Sequence, residues 1–259
     1  MTAVLELIGP WVAFTLGAVT GSFANVCIYR IPRRESIIAP PSHCPHCASP
    51  VRWHDNIPVF SYILLRGRCR DCAGSISPRY LVVELLAASL FLGFWWLNGG
   101  AVLVFVLDVV FVTALLIGVA IDLEHRLLPD KITVPLLVFG LVASLLPGGL
   151  SPLESLIGAG AGGGVMYGIA VVGDAVYKRD TMGGGDIKLA AAVGAFVGWK
   201  ILLVALFIAF VLGAVGGLIY LAMGGKDKTI PFGPFLAAGA VLALVFGQDL
   251  LSWYTGFLR

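Results

Sequence analysis

The stretch Met182-Gly183-Gly184-Gly185-Asp186-Ile187-Lys188 sets a carboxylate at the mouth of an apolar run. Residues from about Ser155 to Val176 before it are almost wholly apolar or small, and a second apolar run begins at Leu189. An ionisable group at the edge of a spanning helix is a functional candidate by default, because burying its charge is expensive. The adjacent glycines let other backbone come close. Two readings stand: Asp186 caps the helix that follows a glycine turn, or it does chemistry. A second acid, Asp122, closes an earlier apolar run at Ala120-Ile121-Asp122-Leu123-Glu124. Two carboxyl groups in one partly dehydrated site cannot both ionise easily, so one keeps a proton. One then activates water while the other protonates a carbonyl or a leaving group, the chemistry of two-acid hydrolysis.

Cysteine supplies the other constellation. Cys44-Pro45-His46-Cys47 and Cys69-Arg70-Asp71-Cys72 are two C-x2-C pairs with 21 residues between them. Two such knuckles can bring four thiolates to one tetrahedral zinc or similar thiophilic metal. Four protein ligands leave no open position, so the metal expected here is structural. The alternatives are two disulfides or inert thiols. His43, His46 and His54 are substitute ligands by type, but with four cysteines at hand they are expected at the surface. Cys27, inside an apolar run, is expected to be a small buried hydrophobe.

Other acids compete with the pair. Asp130 follows Pro129 and precedes an apolar run, the pattern of a helix N-cap. Glu124 has Arg126 beside it. Asp108 lies in mid-run, about 21 Å along a helix from Asp122 at 1.5 Å per residue, too far for one dyad. Glu84, just inside its own apolar run, either lines the site or anchors its helix.

The elements that must position these groups are membrane helices. The 259 residues are 59% hydrophobic and 12% charged, with four histidines and a net charge of +2. Their mean hydropathy is +0.96, and soluble domains carry about 25% charged residues. The chain therefore reads as an all-α polytopic membrane protein, with membrane lipid as its solvent and no nucleic-acid partner expected. About eight apolar runs are candidate transmembrane helices, near Leu5–Cys27, Leu81–Leu97, Ala101–Ile121, Ile132–Leu146, Ser155–Val176, Ile187–Trp199, Ile201–Met223 and Pro231–Leu250. The fourth and sixth are short. Met1–Pro10 has no basic region, so the first run is expected to stay as a span. Three parts follow: 1–28, a first transmembrane helix; 29–80, a small cytoplasmic zinc-binding domain; and 81–259, a membrane domain of seven helices.

Charge distribution orients the chain. The segment Tyr29–Tyr80 holds eight of the 17 Lys and Arg residues, and fifteen of the 17 fall in loops after odd-numbered spans. Only Lys200 and Arg259 fall on the other side. Positive charge marks the cytoplasmic face, which puts both termini outside and Asp122 and Asp186 together at that face. Trp95, Trp96, Trp199, Trp253 and Tyr254 then lie at outer span ends as an aromatic belt. The glycines and alanines of Gly158–Gly164 are expected to permit close helix packing.

With these residues in place, the chain resembles the bacterial type IV prepilin peptidases, which are GxGD aspartyl proteases with a second N-methyltransferase activity. The resemblance rests on Gly21-Ser22-Phe23-Ala24-Asn25-Val26 with Arg30 and Pro32, and on the double cysteine knuckle. It continues through Asn56-Ile57-Pro58-Val59, Ser61-Tyr62, Leu65-Arg66-Gly67, Arg79-Tyr80 with Glu84, Asp122…Leu128-Pro129-Asp130 and Gly183–Lys188. It implies that Asp122 and Asp186 are the catalytic pair of an aspartic endopeptidase, supported at the site by Gly183, Gly185, Lys188 and Glu84. It implies cleavage of the short basic leader of type IV prepilins or type II secretion pseudopilins after a glycine. It further implies methylation of the new N-terminal residue with S-adenosylmethionine, at a bacterial inner membrane. Lys188 would orient Asp186 or meet the substrate backbone. No Gly-rich nucleotide loop is visible, so the donor site is not located. The competing readings are a broader GxGD intramembrane protease, which needs no cysteine domain, a transporter with a proton path through Asp108, Asp122 and Asp186, and a structural part of a secretion machine.

Overall fold

Apolar runs of 17 residues or more can satisfy their backbone in lipid only as helices, and helices account for nearly all regular structure in the computed structural model. It describes residues 2–224 and 230–257, with side chains from residue 7 onward; Lys226, Lys228 and Arg259 of the charge count lie outside the described residues. In chain order the elements are α1 (Thr2–Arg30), a 3-10 turn (Trp53–Asn56), α2 (Phe60–Leu64), α3 (Arg79–Leu97), α4 (Val102–His125), α5 (Asp130–Ala143), α6 (Pro152–Tyr177), α7 (Gly184–Ala222) and α8 (Gly233–Phe257). Six of these, α1, α3, α4, α6, α7 and α8, are long and apolar enough to cross a membrane. The chain is a multi-pass membrane protein.

The eight expected runs map onto these helices with two adjustments. The fourth is α5, whose 14 residues reach about 21 Å at 1.5 Å per residue, short of the roughly 30 Å hydrocarbon core. The sixth and seventh are not parted by a polar loop at Lys200. They are the two arms of α7, a 39-residue helix broken at Gly198, which has φ 78° and ψ 162°. Only glycine adopts that conformation at low cost, so one residue replaces a loop.

Two compact units divide the chain, Met1–Ile117 and Gly118–Arg259. The expected 81–259 segment is thus shared between them: α3 and most of α4 group with α1 and the cysteine segment. In the first unit, α1 lies backbone-close on α3. A methyl on Gly17 would stand 2.7 Å from the Ala88 Cα, and one on Gly21 2.7 Å from the Glu84 Cα. Asn25, fully buried, donates its side-chain amide to the Tyr80 carbonyl at 3.1 Å.

In the second unit, α6 and the first arm of α7 pack along a glycine seam. The Gly158 and Gly162 faces rest on the Gly194 and Ala190 carbonyls with no room for a Cβ, and Ser155 donates to the Ala195 carbonyl at 2.6 Å. The expectation for the small-residue run holds at these two positions, whereas Gly160 and Gly164 meet nothing within 4 Å among the described residues. Overpacking typically costs about 1–3 kcal/mol. Gly162→Ala should therefore lower the melting temperature of the detergent-solubilised protein by several degrees, while Gly164→Ala leaves it unchanged in the same thermal-shift measurement.

Candidate active site and cysteine cluster

Three helix ends meet in the second unit. Asp122 stands in the last turn of α4, which stops where Arg126 turns to φ 54°. Asp186 is the third residue of α7. Gly233 opens α8. The N-cap of α7 is Gly183, with no side-chain cap, so the reading of Asp186 as a cap does not hold. Instead one Asp186 oxygen, Oδ1, is buried without a hydrogen-bond partner among the described residues. Asp122 is 5% exposed, and its charge reaches Asp186. A carboxylate at the first turn of a helix also faces the positive end of the helix dipole, which offsets part of the cost of burial.

Leu128 is the wedge that holds these ends apart at a set distance. A methyl on Gly185 would stand 2.7 Å from its Cβ and 2.9 Å from its carbonyl oxygen; a methyl on Gly233 would stand 3.1 Å from its Cδ1 and 2.6 Å from Asp122 Oδ2. The backbone amide of Gly233 serves Asp122 as a hydrogen-bond donor. The three glycines before Asp186 are therefore not alike. None has positive φ; Gly185 is needed for space, a methyl on Gly183 would make an ordinary 3.6 Å contact with Asp186 Oδ2, and one on Gly184 would meet nothing within 4 Å among the described residues.

Lys188 goes to Asp130, at 2.6 Å, and not to Asp186. Asp130 is correspondingly not the N-cap expected for it: Pro129 holds that position and Asp130 is the first residue of α5. This ion pair ties the start of α5 to the start of α7, and its exposure keeps its contribution small. Asp108, buried at 6% exposure, has the partner that its mid-span position required: the Asn98 amide donates to its Oδ2 at 2.9 Å.

Glu84 belongs to the first unit and is an anchor there. It is 6% exposed, accepts the Val59 amide at 2.7 Å, and takes a side-chain hydrogen bond from Ser22. Val59 is a β-branched residue at φ 65°, ψ −55°, a strained conformation that persists only where its surroundings hold it. Ser61 adds a second tie, accepting the Ile57 amide and donating to the His54 carbonyl. The Asn25 Oδ1 oxygen nearby on α1 is buried and without a partner among the described residues.

The four expected metal-ligating cysteines come together. Cys44, Cys47, Cys69 and Cys72 place their Sγ atoms within 4.8 Å of one another, and all are free thiols. The two knuckles are copies of one loop. Cys44 and Cys69 accept the Ala48 and Ala73 amides at 2.9 and 3.0 Å, and both alanines take positive φ. Cys44 and Cys72 Sγ stand 3.8 Å apart, which is the edge of a tetrahedron with metal–sulfur bonds of about 2.3 Å. Hydrogen bonds from Ser49 hold the Cys47 thiol down at about 6. Cys72 is pushed up to about 12: the Gly74 amide pulls it down, but desolvation and the three other thiols outweigh that pull. Four crowded thiols resist ionising together unless a cation neutralises them, so the residues fit a metal ion. Arg70, within the second knuckle, clasps Asp55 through contacts of 2.6 to 3.0 Å and holds that carboxyl below its usual range. His43, His46 and His54 are exposed, and Cys27 is buried, as expected.

Residues 15–98 match the bacterial peptidase A24 N-terminal domain, and residues 109–218 match the type IV leader peptidase family. A prepilin leader peptidase/N-methyltransferase of Aeromonas hydrophila is 38% identical over the whole of both chains. Proteins of the same name from Aeromonas salmonicida, 37% identical over 98% of both chains, and Legionella pneumophila, 34% identical over 96% of both, are similar to it as well. The chain belongs to the type IV leader peptidase family. No solved structure matches it at a significant level.

For a leader peptidase, the arrangement of the second unit supplies what sequence reading had passed over. Leu128 stood in a quoted motif without a role, and Gly233 stood in none. The signal for Gly233 was a glycine set between Pro231 and Pro234 at the start of an apolar run. A misplacement of about 1 Å in a reacting group can cost on the order of 10²-fold in rate. Gly185→Ala should accordingly cut proteolytic turnover at least tenfold, and Gly184→Ala should keep it near the parent value, when both are assayed at equal amounts of inserted protein.

Proposed function

We propose that this chain cleaves the short basic leader of type IV prepilins or type II secretion pseudopilins after a glycine, and then methylates the new N-terminal residue. Asp122 and Asp186 are the catalytic pair in this reading. The observation that carries it is their meeting at converging helix ends, one carboxyl oxygen buried and unpartnered, in a chain of the leader peptidase family. One carboxylate takes a proton from water, and the resulting nucleophile adds to the scissile carbonyl carbon. The other carboxyl donates its proton to the carbonyl oxygen. Collapse of the tetrahedral intermediate breaks the C–N bond: the leaving nitrogen takes up the proton held by the base, and one hydroxyl of the intermediate returns a proton to the other carboxylate as the new C=O forms. The missing side chain of Gly185 makes room for Leu128, and Gly183 sits beside the Asp186 carboxyl. Lys188, paired with Asp130, holds the start of α7, and Glu84 steadies the segment between the two cysteine pairs.

The assignment of faces follows from charge. Arg30, Arg79, Arg126, Lys131, Lys178 and Lys188 lie at or just beyond helix ends, and we assign those ends to one side of the membrane. We place that side in the cytoplasm of a bacterial inner membrane, with both termini outside and the dyad facing inward.

The functional parts are then 1–28 as a first transmembrane helix, 29–80 as the metal-binding domain and 81–259 as the protease domain. Zinc is the metal that four thiolates at these separations suit best. Cys44, Cys47, Cys69 and Cys72 would hold it, joining the two knuckles into one folded unit, and four protein ligands would leave no position open for catalysis. S-adenosylmethionine, when bound, supplies a methyl group to the freed amine. We assign its site to residues 29–80 with the adjoining ends of α1 and α3, where Asn25, Glu84 and the strained Val59 sit. Unsatisfied buried polar atoms and backbone strain gather at functional sites, and the Glu84 carboxyl suits a cationic donor.

Cleavage requires both acids, whereas methyl transfer needs an aligned donor and a neutral amine. Asp122→Asn and Asp186→Asn should each reduce leader cleavage by at least about 10³-fold, measured with a purified prepilin in proteoliposomes at normal insertion. The Asp122→Asn protein should still move a labelled methyl group onto a pilin cleaved beforehand. Substantial cleavage by either variant would remove that residue from the chemistry. A protein purified without chelator should contain about one zinc per chain by elemental analysis, and Cys69→Ser should lose the metal and open residues 29–80 to protease.

A further inference from the structure

On the reading of Asp122 as one of the catalytic acids, we propose that Gly233 is a positioning residue for that carboxylate. The absence of a side chain leaves the space that Asp122 occupies, and the Gly233 amide fixes the carboxylate there.

The first observation is steric. A methyl on Gly233 would stand 2.6 Å from Asp122 Oδ2 and 3.3 Å from Asp122 Cγ. Its φ is not positive, so backbone conformation does not demand glycine at this position. Space does, and the group that fills it is the Asp122 carboxyl.

The second observation is an account of backbone donors. The first turn of a helix leaves its N–H groups without intrahelical partners. In α8, Pro234 has no N–H, and the Phe235 and Leu236 amides both turn back to the Phe232 carbonyl at 3.0 Å. The amide left over is that of Gly233, and it serves Asp122. A proline on one side and a local turn on the other thus aim a single donor, at the positive end of the α8 dipole, at one carboxylate of the pair.

The crowding at Gly233 differs in kind from that at Gly239 of the same helix. At Gly239 an added methyl would press on the Ala205 carbonyl, which is backbone. At Gly233 it presses on the end of a side chain, which can rotate away. Gly233→Ala should therefore fold and insert normally with Asp122 turned out of place. Gly239→Ala should instead lose stability.

The test measures kcat, KM and melting temperature for the parent, Gly233→Ala, Gly239→Ala, Gly164→Ala and Asp122→Asn, with a purified prepilin in proteoliposomes. The expected result for Gly233→Ala is a kcat lowered at least tenfold, with KM within about twofold and an unchanged melting temperature. A loss confined to kcat marks a group needed in the transition state. Parent-like kcat in Gly233→Ala would overturn the proposal. So would a fall in melting temperature matching that of Gly239→Ala, which would make Gly233 a packing glycine. Recovery of kcat on adding Leu128→Ala to Gly233→Ala would assign the crowding to Leu128, 3.1 Å from the same methyl position, and would also overturn it. The Asp122→Asn arm keeps the two readings apart. An active Asp122→Asn protein defeats the dyad itself, whereas an inactive one beside a parent-like Gly233→Ala defeats this inference alone.

Discussion

Burying a carboxyl group among apolar helices is the constraint around which the second unit is built. Water no longer solvates the group, so fixed dipoles must take its place. Here the dipoles are helix ends. Asp186 lies in the first turn of α7, and Asp122 receives the amide at the start of α8. Both helices begin within reach of Leu128, which spaces them. The Leu128 side chain and backbone, set between the two helix termini, space the two acids by packing alone.

The position of the α7 start depends in turn on the seam with α6. Backbone rests on backbone at Gly158 and Gly162, and Ser155 hydrogen-bonds across it. In lipid there is no hydrophobic drive between helices, so close approach and interhelical hydrogen bonds supply the association. Ahead of the site, Asp174 at the end of α6 accepts from the Thr181 amide and hydroxyl at 2.7 and 2.8 Å. That pins the short link to Gly183. The start of α7 is thus fixed from two directions before Asp186 is reached.

The first unit solves a different problem. Residues 31–78 carry little regular structure, and small segments of that kind need a staple to hold one conformation. The doubled cysteine knuckle supplies it, with the Asp55–Arg70 and Arg52–Asp71 pairs bracing the second knuckle against the 3-10 turn. Glu84 then reaches from α3 to hold Val59 in a conformation that its own side chain disfavours. Stability comes from side chains that reach across, because there is too little apolar area within the segment to bury.

Several of these features were legible in order and spacing alone. Helical spans follow from apolar runs, because lipid leaves a spanning backbone no other way to satisfy its hydrogen bonds. The convergence of four thiols follows from paired x2 spacing, because a knuckle of that size presents two sulfurs on one side. The meeting of Asp122 and Asp186 followed from topology, since spans of opposite direction return both acids to the same face. Tertiary structure decided the rest. That Gly185 is needed and Gly184 is not, that Lys188 answers Asp130 and not Asp186, and that a single glycine at 198 breaks α7 all depend on what lies across a gap. Sequence spacing describes neighbours along one helix, whereas these contacts join residues whose separation along the chain bears no relation to their distance. Gly233 and Asp122 are the clearest case: 111 positions apart in the sequence, they compete for the same few cubic ångströms, and only the folded chain brings them there.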